Sequence, residues 1–327
     1  MTAALVLGAT GCIGNNVVRA CLAEGWSVRA FRRATSQTWM LDGLEIEQAI
    51  GDVRDPASLV AAMRGCDVVY HAAAHYPRHS LDMAGSLRDA VSEMRNVFLA
   101  TAEAGVGRLV YTSTLTTIGP PSEPVRLADE RDYYLPGSTD SAYFESKWAM
   151  EAEAWRAAAS GLPVVIVNPT AVLGPWDIKP TTGEILRNVA KGRIPVWLDL
   201  WVNIVDARDV GVGHVLAAER GRIGQRYILG GDNLTMREAL TSATREAGVR
   251  APRWQLSPGL VTTLVKVAEA LGRLPVVQPL PVEHLKTMRE WRALNTEKAR
   301  QELGFDPRPC AETIRDTLAW FKEYGYL

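Results

Sequence analysis

The chain has 327 residues, of which 47% are hydrophobic and 22% charged, with a formal net charge of -1. This is ordinary globular composition, and at about 150 residues per domain the length suggests two lobes. The near-neutral charge excludes a global field that would draw the protein to nucleic acid or an anionic membrane. No apolar run approaches the roughly 20 residues of a membrane span.

In chain order, "AALVLGA" (Ala3 to Ala9) is a short apolar run with no basic segment before it. It breaks at Gly8, so it reads as a strand and not a signal peptide, and the expected location is cytoplasmic. Cys12 to Glu24 has helical periodicity, and "SVRAFRR" (Ser27 to Arg33) follows as a second strand. "GLEIEQAIGD" (Gly43 to Asp52) predicts a third, and Pro56 opens a helix running to Met63. "DVVYHAAA" (Asp67 to Ala74) predicts a buried fourth strand. A helix from about Ser86 to Ala104 then leads to a fifth, "RLVYTST" (Arg108 to Thr114). Cys12, Cys21, Cys66 and Cys310 are scattered without a CxxC pair and read as free thiols.

Strands alternating with helices at this rhythm predict an α/β fold, a Rossmann-type doubly wound parallel sheet covered on both faces. Beyond Asn168 the pattern loosens. Prolines and tryptophans cluster at 169–201, a strand–helix pair recurs near "NIVDARDVGVGHVLAAE", and the tail from Asp232 reads as mostly helical. The expected division is a dinucleotide-binding domain over 1–168, with 203–230 returning to it. A smaller, mostly helical substrate lobe takes 169–202 and 231–327.

"GATGCIG" places Gly8, Gly11 and Gly14 between the first strand and the first helix. Close approach of backbone to a pyrophosphate needs residues without Cβ, and the helix N-terminus then faces the phosphates. An NAD site usually shows an acid about 20 residues on. Here the second strand ends in Arg32 and Arg33, whose guanidinium groups match a 2′-phosphate and point to NADP(H), with NAD left open. The alternative is that both arginines simply face solvent. Asp52, ending the third strand, is placed for an adenine amino group or for capping the turn before Asp55.

"YFESK" sets Tyr143 and Lys147 one helical turn apart, so they meet on one face. An adjacent ammonium is expected to lower the phenol pKa and make a proton donor usable near neutral pH. "VYTSTLTTIG" adds hydroxyls, Thr112 to Thr114, at the end of the fifth strand, where ligands bind in parallel sheets. His71, His75 and His79 are four apart, but His71 lies on the fourth strand and Pro77 breaks any helical run through the other two, so no metal site is expected. Trp176, Trp197 and Trp201 suit a ring-shaped, poorly charged substrate or, equally, fill the seam between lobes.

Together these motifs resemble the extended short-chain dehydrogenase/reductases, the family of NAD-dependent epimerase/dehydratases. The resemblance runs from Gly8 through "NPTAVLG" (Asn168 to Gly174) to "QRYILGG" (Gln225 to Gly231). It looks closest to hopanoid-associated sugar epimerases and dihydroflavonol reductase-like proteins. It implies Tyr143 as general acid/base, Lys147 as its partner on the nicotinamide ribose, and Thr114 as the hydroxyl on the substrate oxygen. The implied cofactor residues are Gly8, Thr10, Gly11, Cys12, Ile13, Gly14, Arg32, Arg33, Asp52 and Val53. To these it adds Ala72, Ala73 and Ala74 with Tyr143, Lys147, Asn168 and Pro169. Substrate contacts are expected at His75, Tyr76, Thr114, Val172, Trp176 and Trp201, and a homodimer is left open.

Two departures bear on the substrate. Sugar-nucleotide epimerases of the family usually carry an arginine where this chain has Val202. Lys179, Arg187, Lys191 and Arg193 are the cations that remain nearby. An asparagine usual in the helix before the fifth strand is Ala90 here. The expected activity is hydride transfer to or from a carbonyl or alcohol of a small ring-containing substrate. The alternative is epimerisation or dehydration of a sugar or sugar nucleotide on a tightly held NAD(P).

Overall fold

The computed structural model describes residues 1–73, 77, 82–123, 125–180, 182–257, 259–260, 263, 266–267, 288 and 290–327. The expectations at Ala74, His75, Tyr76 and His79 lie outside the described residues.

A seven-stranded sheet forms the main layer, in the order β10-β6-β5-β4-β1-β2-β3. Its strands are β1 (Ala3–Leu7), β2 (Ser27–Arg32), β3 (Glu47–Ile50), β4 (Val68–His71), β5 (Arg108–Thr112), β6 (Val164–Pro169) and β10 (Arg226–Leu229). Every pairing in it is parallel. Successive residues of a strand point to opposite faces, and each face carries its own core. Ala4 and Val6 join Val17, Val110 and Val167 on one face, while Leu5 and Leu7 join Met94, Leu109 and Ile166 on the other.

Helices α1 (Cys12–Ala23) and α6 (Ala207–Arg220) pack together on the first face. Helices α2 (Pro56–Met63), α3 (Met83–Ala104) and α4 (Ala142–Ala159) cover the second. Their starts have local causes. Asp55 accepts from the Ala57 amide and Pro56 opens α2, Asp82 accepts from Gly85 at the head of α3, and Ser141 accepts from Phe144 at the head of α4. Each cap satisfies an amide that the helix itself cannot, worth about 1 kcal/mol.

The remaining chain builds a smaller unit. Strands β7 (Ala171–Leu173), β9 (Trp201–Asp206) and β11 (Asp232–Thr235) form one sheet. β8 (Val196–Leu198) pairs with β12 (Trp254–Leu256). Helices α5 (Thr182–Ala190), α7 (Met236–Ala247) and α9 (Cys310–Glu323) share an apolar cluster with β7 and β9, and α8 (Glu297–Leu303) packs against α6 and β10.

Three differences from the sequence reading have simple reasons. β3 is the edge of the sheet, paired on one side only, and shrinks to four residues. The expected return to the main layer at 203 begins later, because β9 pairs with β7 and β11 and the chain rejoins the large sheet through α6. The tail from Asp232 opens on a strand, β11, before its helices begin.

Candidate active site

The glycine loop sits beyond the carboxyl end of β1, next to the end of β4, where the strand order reverses. Gly8 has φ +84°, and a Cβ there would lie 2.7 Å from the Ala73 nitrogen. Its carbonyl accepts the Gly11 amide at 2.9 Å. A Cβ on Gly14 would stand 2.1 Å from the Gly8 oxygen, so α1 lies directly on the turn. Gly11 caps α1 without a side chain and no acid occupies the first turn. The positive end of the helix is therefore uncovered by any local side-chain cap, as an anion site requires.

Thr10, Cys12 and Ile13 are partly buried in the same turn, and burial pushes the Cys12 thiol up, with Asp177 and Asp206 adding to it. Cys12, Cys21, Cys66 and Cys310 are free thiols.

At the end of β2, Arg33 is exposed. Arg32 donates through Nε to Gln48 Oε1 at 2.7 Å. Asp52 is engaged by its own neighbour: it accepts the Arg54 amide at 2.9 Å and both Nε and Nη2 of that guanidinium. The Arg54 hydrogen bond holds its carboxyl at about 2. Asp52 thus caps its own turn, with a donor on each carboxylate oxygen. Val53 is partly buried and its carbonyl accepts from Asn96 Nδ2 at 3.2 Å. Ala72 and Ala73 follow β4 and stand against Gly8.

Beyond β5 the chain makes a short 3-10 turn over Leu115–Thr117, capped by Thr114. The Thr114 and Thr116 hydroxyls lie beside the Tyr143 phenol and pull its pKa down. Lys147, 4% exposed, brings Nζ to 5.9 Å from the Tyr143 ring centroid. Asn168, at the end of β6, donates from Nδ2 to the Thr114 carbonyl at 3.2 Å, and its Oδ1 is buried without a partner. Pro169 follows it, fully inside the sheet.

One expectation about this pair is corrected. The net shift of the phenol in this structure is upward, not downward. Burial raises Tyr143 and outweighs the two threonine hydrogen bonds that pull it down. Lys147 itself falls to about 8, because burial penalises its charge more than Glu93 supports it. Loss of surrounding water makes each group resist ionisation.

The tryptophans divide between seam and surface. Trp176 has φ +71° and sits among Trp39, Trp320 and Tyr324, with the Arg19 guanidinium 3.7 Å over its ring. This is the seam alternative, between α1 and α9. Trp197 is partly buried, with Arg237 5.8 Å from its ring, and Trp201 is 49% exposed at the start of β9. Val172 pairs with Val205 and packs against the first core.

Val202 is buried in the cluster under α5 and α7. Of the nearby cations, Arg187 pairs with Glu184 and Lys191 donates to the Tyr326 carbonyl. His71 is buried on β4 against Met94, and burial lowers it to about 3. Among the described residues no cluster of metal-binding side chains occurs and no helix is long and apolar enough to cross a membrane.

Sequence reading missed Glu151. It is fully buried on α4, and Ser113, Thr117, Asn168 and Arg226 all donate to it. The signal was present: Glu151 lies eight residues after Tyr143 and four after Lys147, on the same helix face.

With this geometry in hand, comparison with known proteins is informative. The profile of the NAD dependent epimerase/dehydratase family matches residues 4–230. A protein of Synechocystis sp. provisionally named a dihydroflavonol 4-reductase is 37% identical, over 98% of this chain and 95% of its own length. Sterol demethylase protein B of Methylococcus capsulatus is 32% identical over 99% of both chains. The crystal structure of a nucleoside-diphosphate-sugar epimerase from Pseudomonas aeruginosa superposes with a TM-score of 0.85 at 31% identity, covering 100% of this chain and 99% of that one.

Proposed function

This chain belongs to the NAD dependent epimerase/dehydratase family, and from that premise we propose that it is an NADP(H)-dependent reductase or dehydrogenase of a ring-containing, poorly charged carbonyl or alcohol. The observation that carries the reading is the convergence of Thr114, Tyr143 and Lys147, with the Thr114 hydroxyl beside the phenol and the ammonium 5.9 Å from its ring. The residues fit a dinucleotide. The Gly8–Gly14 cradle excludes side chains, the head of α1 is free of acids, and the Asn168 Oδ1 offers a buried acceptor.

When bound, the nicotinamide supplies the hydride. The chain's own residues do the rest. Thr114 donates to the carbonyl oxygen and stabilises the charge that builds there. Tyr143 gives its phenolic proton to that oxygen as the carbon gains hydride, so the carbonyl becomes an alcohol and the phenol a phenolate. A phenol with a raised pKa stays protonated through the neutral range, which suits the reductive direction. Lys147, buried beneath, supplies positive charge that favours the phenolate once formed.

Three observations support the finer choices. The basic rim of Arg33 and Arg54 surrounds an Asp52 whose charge Arg54 already takes, which favours a 2′-phosphate over a bare ribose. Val202 is apolar and buried at the position where the resemblance implies an arginine in sugar-nucleotide enzymes, and the two named relatives point to ring compounds, a dihydroflavonol and a sterol. The separation of the seven-stranded sheet from the three- and two-stranded ones supports a division into a cofactor domain and a substrate unit.

The likeness to a nucleoside-diphosphate-sugar epimerase favours one further reading, epimerisation through a transient ketone. Following NADPH absorbance while screening cyclic ketones separates the two. Net oxidation of NADPH is expected, whereas substrate interconversion with no net change in the cofactor would overturn the reductase reading.

A further inference from the structure

The chemistry above leaves Glu151 without a task, yet four side chains converge on it. Its Oε2 accepts from the hydroxyls of Ser113 and Thr117, the latter at 2.5 Å, and from Asn168 Nδ2 at 2.9 Å. Its Oε1 accepts from Arg226 Nη1 at 2.8 Å, and the two side chains are 0% and 3% exposed. Arg226 is fixed in turn by the carbonyls of Glu130 and Asp132, each within 3.0 Å, and by the Tyr133 ring 4.4 Å from its guanidinium carbon.

This arrangement decides how the Asn168 amide points. Nδ2 faces the Glu151 carboxylate, the Thr114 carbonyl at 3.2 Å and the Thr117 hydroxyl at 2.9 Å. Turned the other way, the amide would set its oxygen against a carboxylate and a carbonyl, which repel it. Oδ1 is therefore held on the opposite side, where it is buried and unpartnered. The same Nδ2 ties down the carbonyl of Thr114, whose hydroxyl reaches Tyr143. Thr117 has one proton and two acceptors, the Thr114 carbonyl and Glu151 Oε2. Glu151 Oε2 is the nearer acceptor, at 2.5 Å against 2.9 Å, which leaves the Thr114 carbonyl to Asn168.

We propose that Glu151, backed by Arg226, is a positioning residue that fixes the Asn168 amide and the 113–117 turn, so that the Thr114 hydroxyl and Asn168 Oδ1 meet the reacting molecules in one orientation. The proposal deepens the reading of the Thr114–Tyr143–Lys147 site given above and rests on it. Asn168 Oδ1 then receives an N–H or O–H donor from whatever binds there.

The test compares wild type, Glu151→Gln and the double variant Glu151→Leu/Arg226→Met, all as full-length protein. Replacing both members of a buried ion pair by apolar residues of similar volume commonly keeps the fold or strengthens it. The double variant therefore separates folding from positioning. Three quantities are read: Tm, kcat and KM for NADPH-dependent reduction of an activated cyclic ketone, and the side-chain amide resonances of Asn168 in protein labelled with [15N]asparagine.

The Asn168 resonances are expected to move in both variants, and kcat to fall on the order of 10- to 100-fold, as small misplacements of reacting groups do. KM should stay within about twofold, even where the double variant melts at or above the wild-type temperature. Recovery of kcat together with Tm in the double variant, or unmoved Asn168 resonances, would overturn the proposal. A wild type that reduces no ketone at all counts against the functional reading alone, since the resonances still decide whether Glu151 sets the amide.

Discussion

Lys147 Nζ lies 5.9 Å from the centroid of the Tyr143 ring, one turn along α4, and both groups are held in surroundings that oppose their charge. The folded protein holds Lys147 near 8, against 10.5 for an unperturbed lysine. Between those values the unfolded chain binds the extra proton, so stability rises with pH from about 8 to 10.5. Below 8 the full penalty is present, roughly 3 kcal/mol. Lys147→Met is therefore expected to raise Tm at pH 7, by about 1–2 °C per kcal/mol relieved, and the gain should shrink as pH approaches 10.5. Turnover in the same variant should fall about 100-fold or more. Thermal melts at pH 7 and pH 10 check the first part. An equal gain at both pH values would mean that lost packing, not buried charge, sets the difference.

At the cofactor end, Arg32 and Arg33 are not equivalent. Arg32 is already engaged with Gln48, while Arg33 is exposed beside Asp52. Arg33→Ala should weaken NADPH by about 10- to 100-fold, the worth of a hydrogen bond between charged groups. The same change should leave NADH within about threefold, and Arg32→Ala should cost less. Calorimetric titration of both cofactors at one salt concentration measures this. Equal losses for NADH and NADPH would show that the arginines do not read the 2′-phosphate.

Much of the main sheet was legible because its signals are local. The apolar runs of β1, β2, β4 and β5, the glycine turn and the i, i+4 spacing of Tyr143 and Lys147 all lie within a few residues. What escaped depends on distant partners. Glu151 gains its meaning from Ser113, Asn168 and Arg226, which lie 38, 17 and 75 residues away. Trp176 meets Trp39 and Trp320 across most of the chain. β9 looked like a returning strand of the large sheet, and only its pairing with β7 and β11 assigns it to the small one. The direction of the Tyr143 shift was misread for the same reason: spacing shows that an ammonium is near but not how deeply both groups are buried.

The contact between Gly14 and the Gly8 carbonyl makes a stringent prediction. An added methyl at 14 would lie 2.1 Å from that oxygen, against the Gly8–Ala9 backbone, with no flexible side chain to yield. Gly14→Ala must move α1 away from the turn, at a cost of about 1–3 kcal/mol, and the displaced helix no longer aims its amides at the phosphates. Loss of dinucleotide binding with a lowered Tm is expected. Gly25→Ala serves as the comparison, since a Cβ there meets nothing within 4 Å although its φ is +72°. It should cost about 1 kcal/mol through its left-handed backbone and keep the cofactor. Binding that survives Gly14→Ala would show that the turn can open without loss.

Asp177 offers the opposite sign of pH dependence. It is 7% exposed, just before α5, and burial raises its carboxyl to about 7, with Glu184 adding to the shift. An unfolded carboxyl titrates near 3.8, so between about 3.8 and 7 the folded protein binds the extra proton. Stability from this group therefore falls as pH rises through that window, and the deficit is complete above 7. It amounts at most to roughly 4 kcal/mol. Asp177→Asn keeps the shape and removes the charge, so it should be close to neutral at pH 4 and stabilising by about 2–4 kcal/mol at pH 8. Urea denaturation at the two pH values reads the difference directly. A variant less stable than wild type at pH 8 would mean that the carboxylate is charged and well bonded in its site, and that burial does not set its titration.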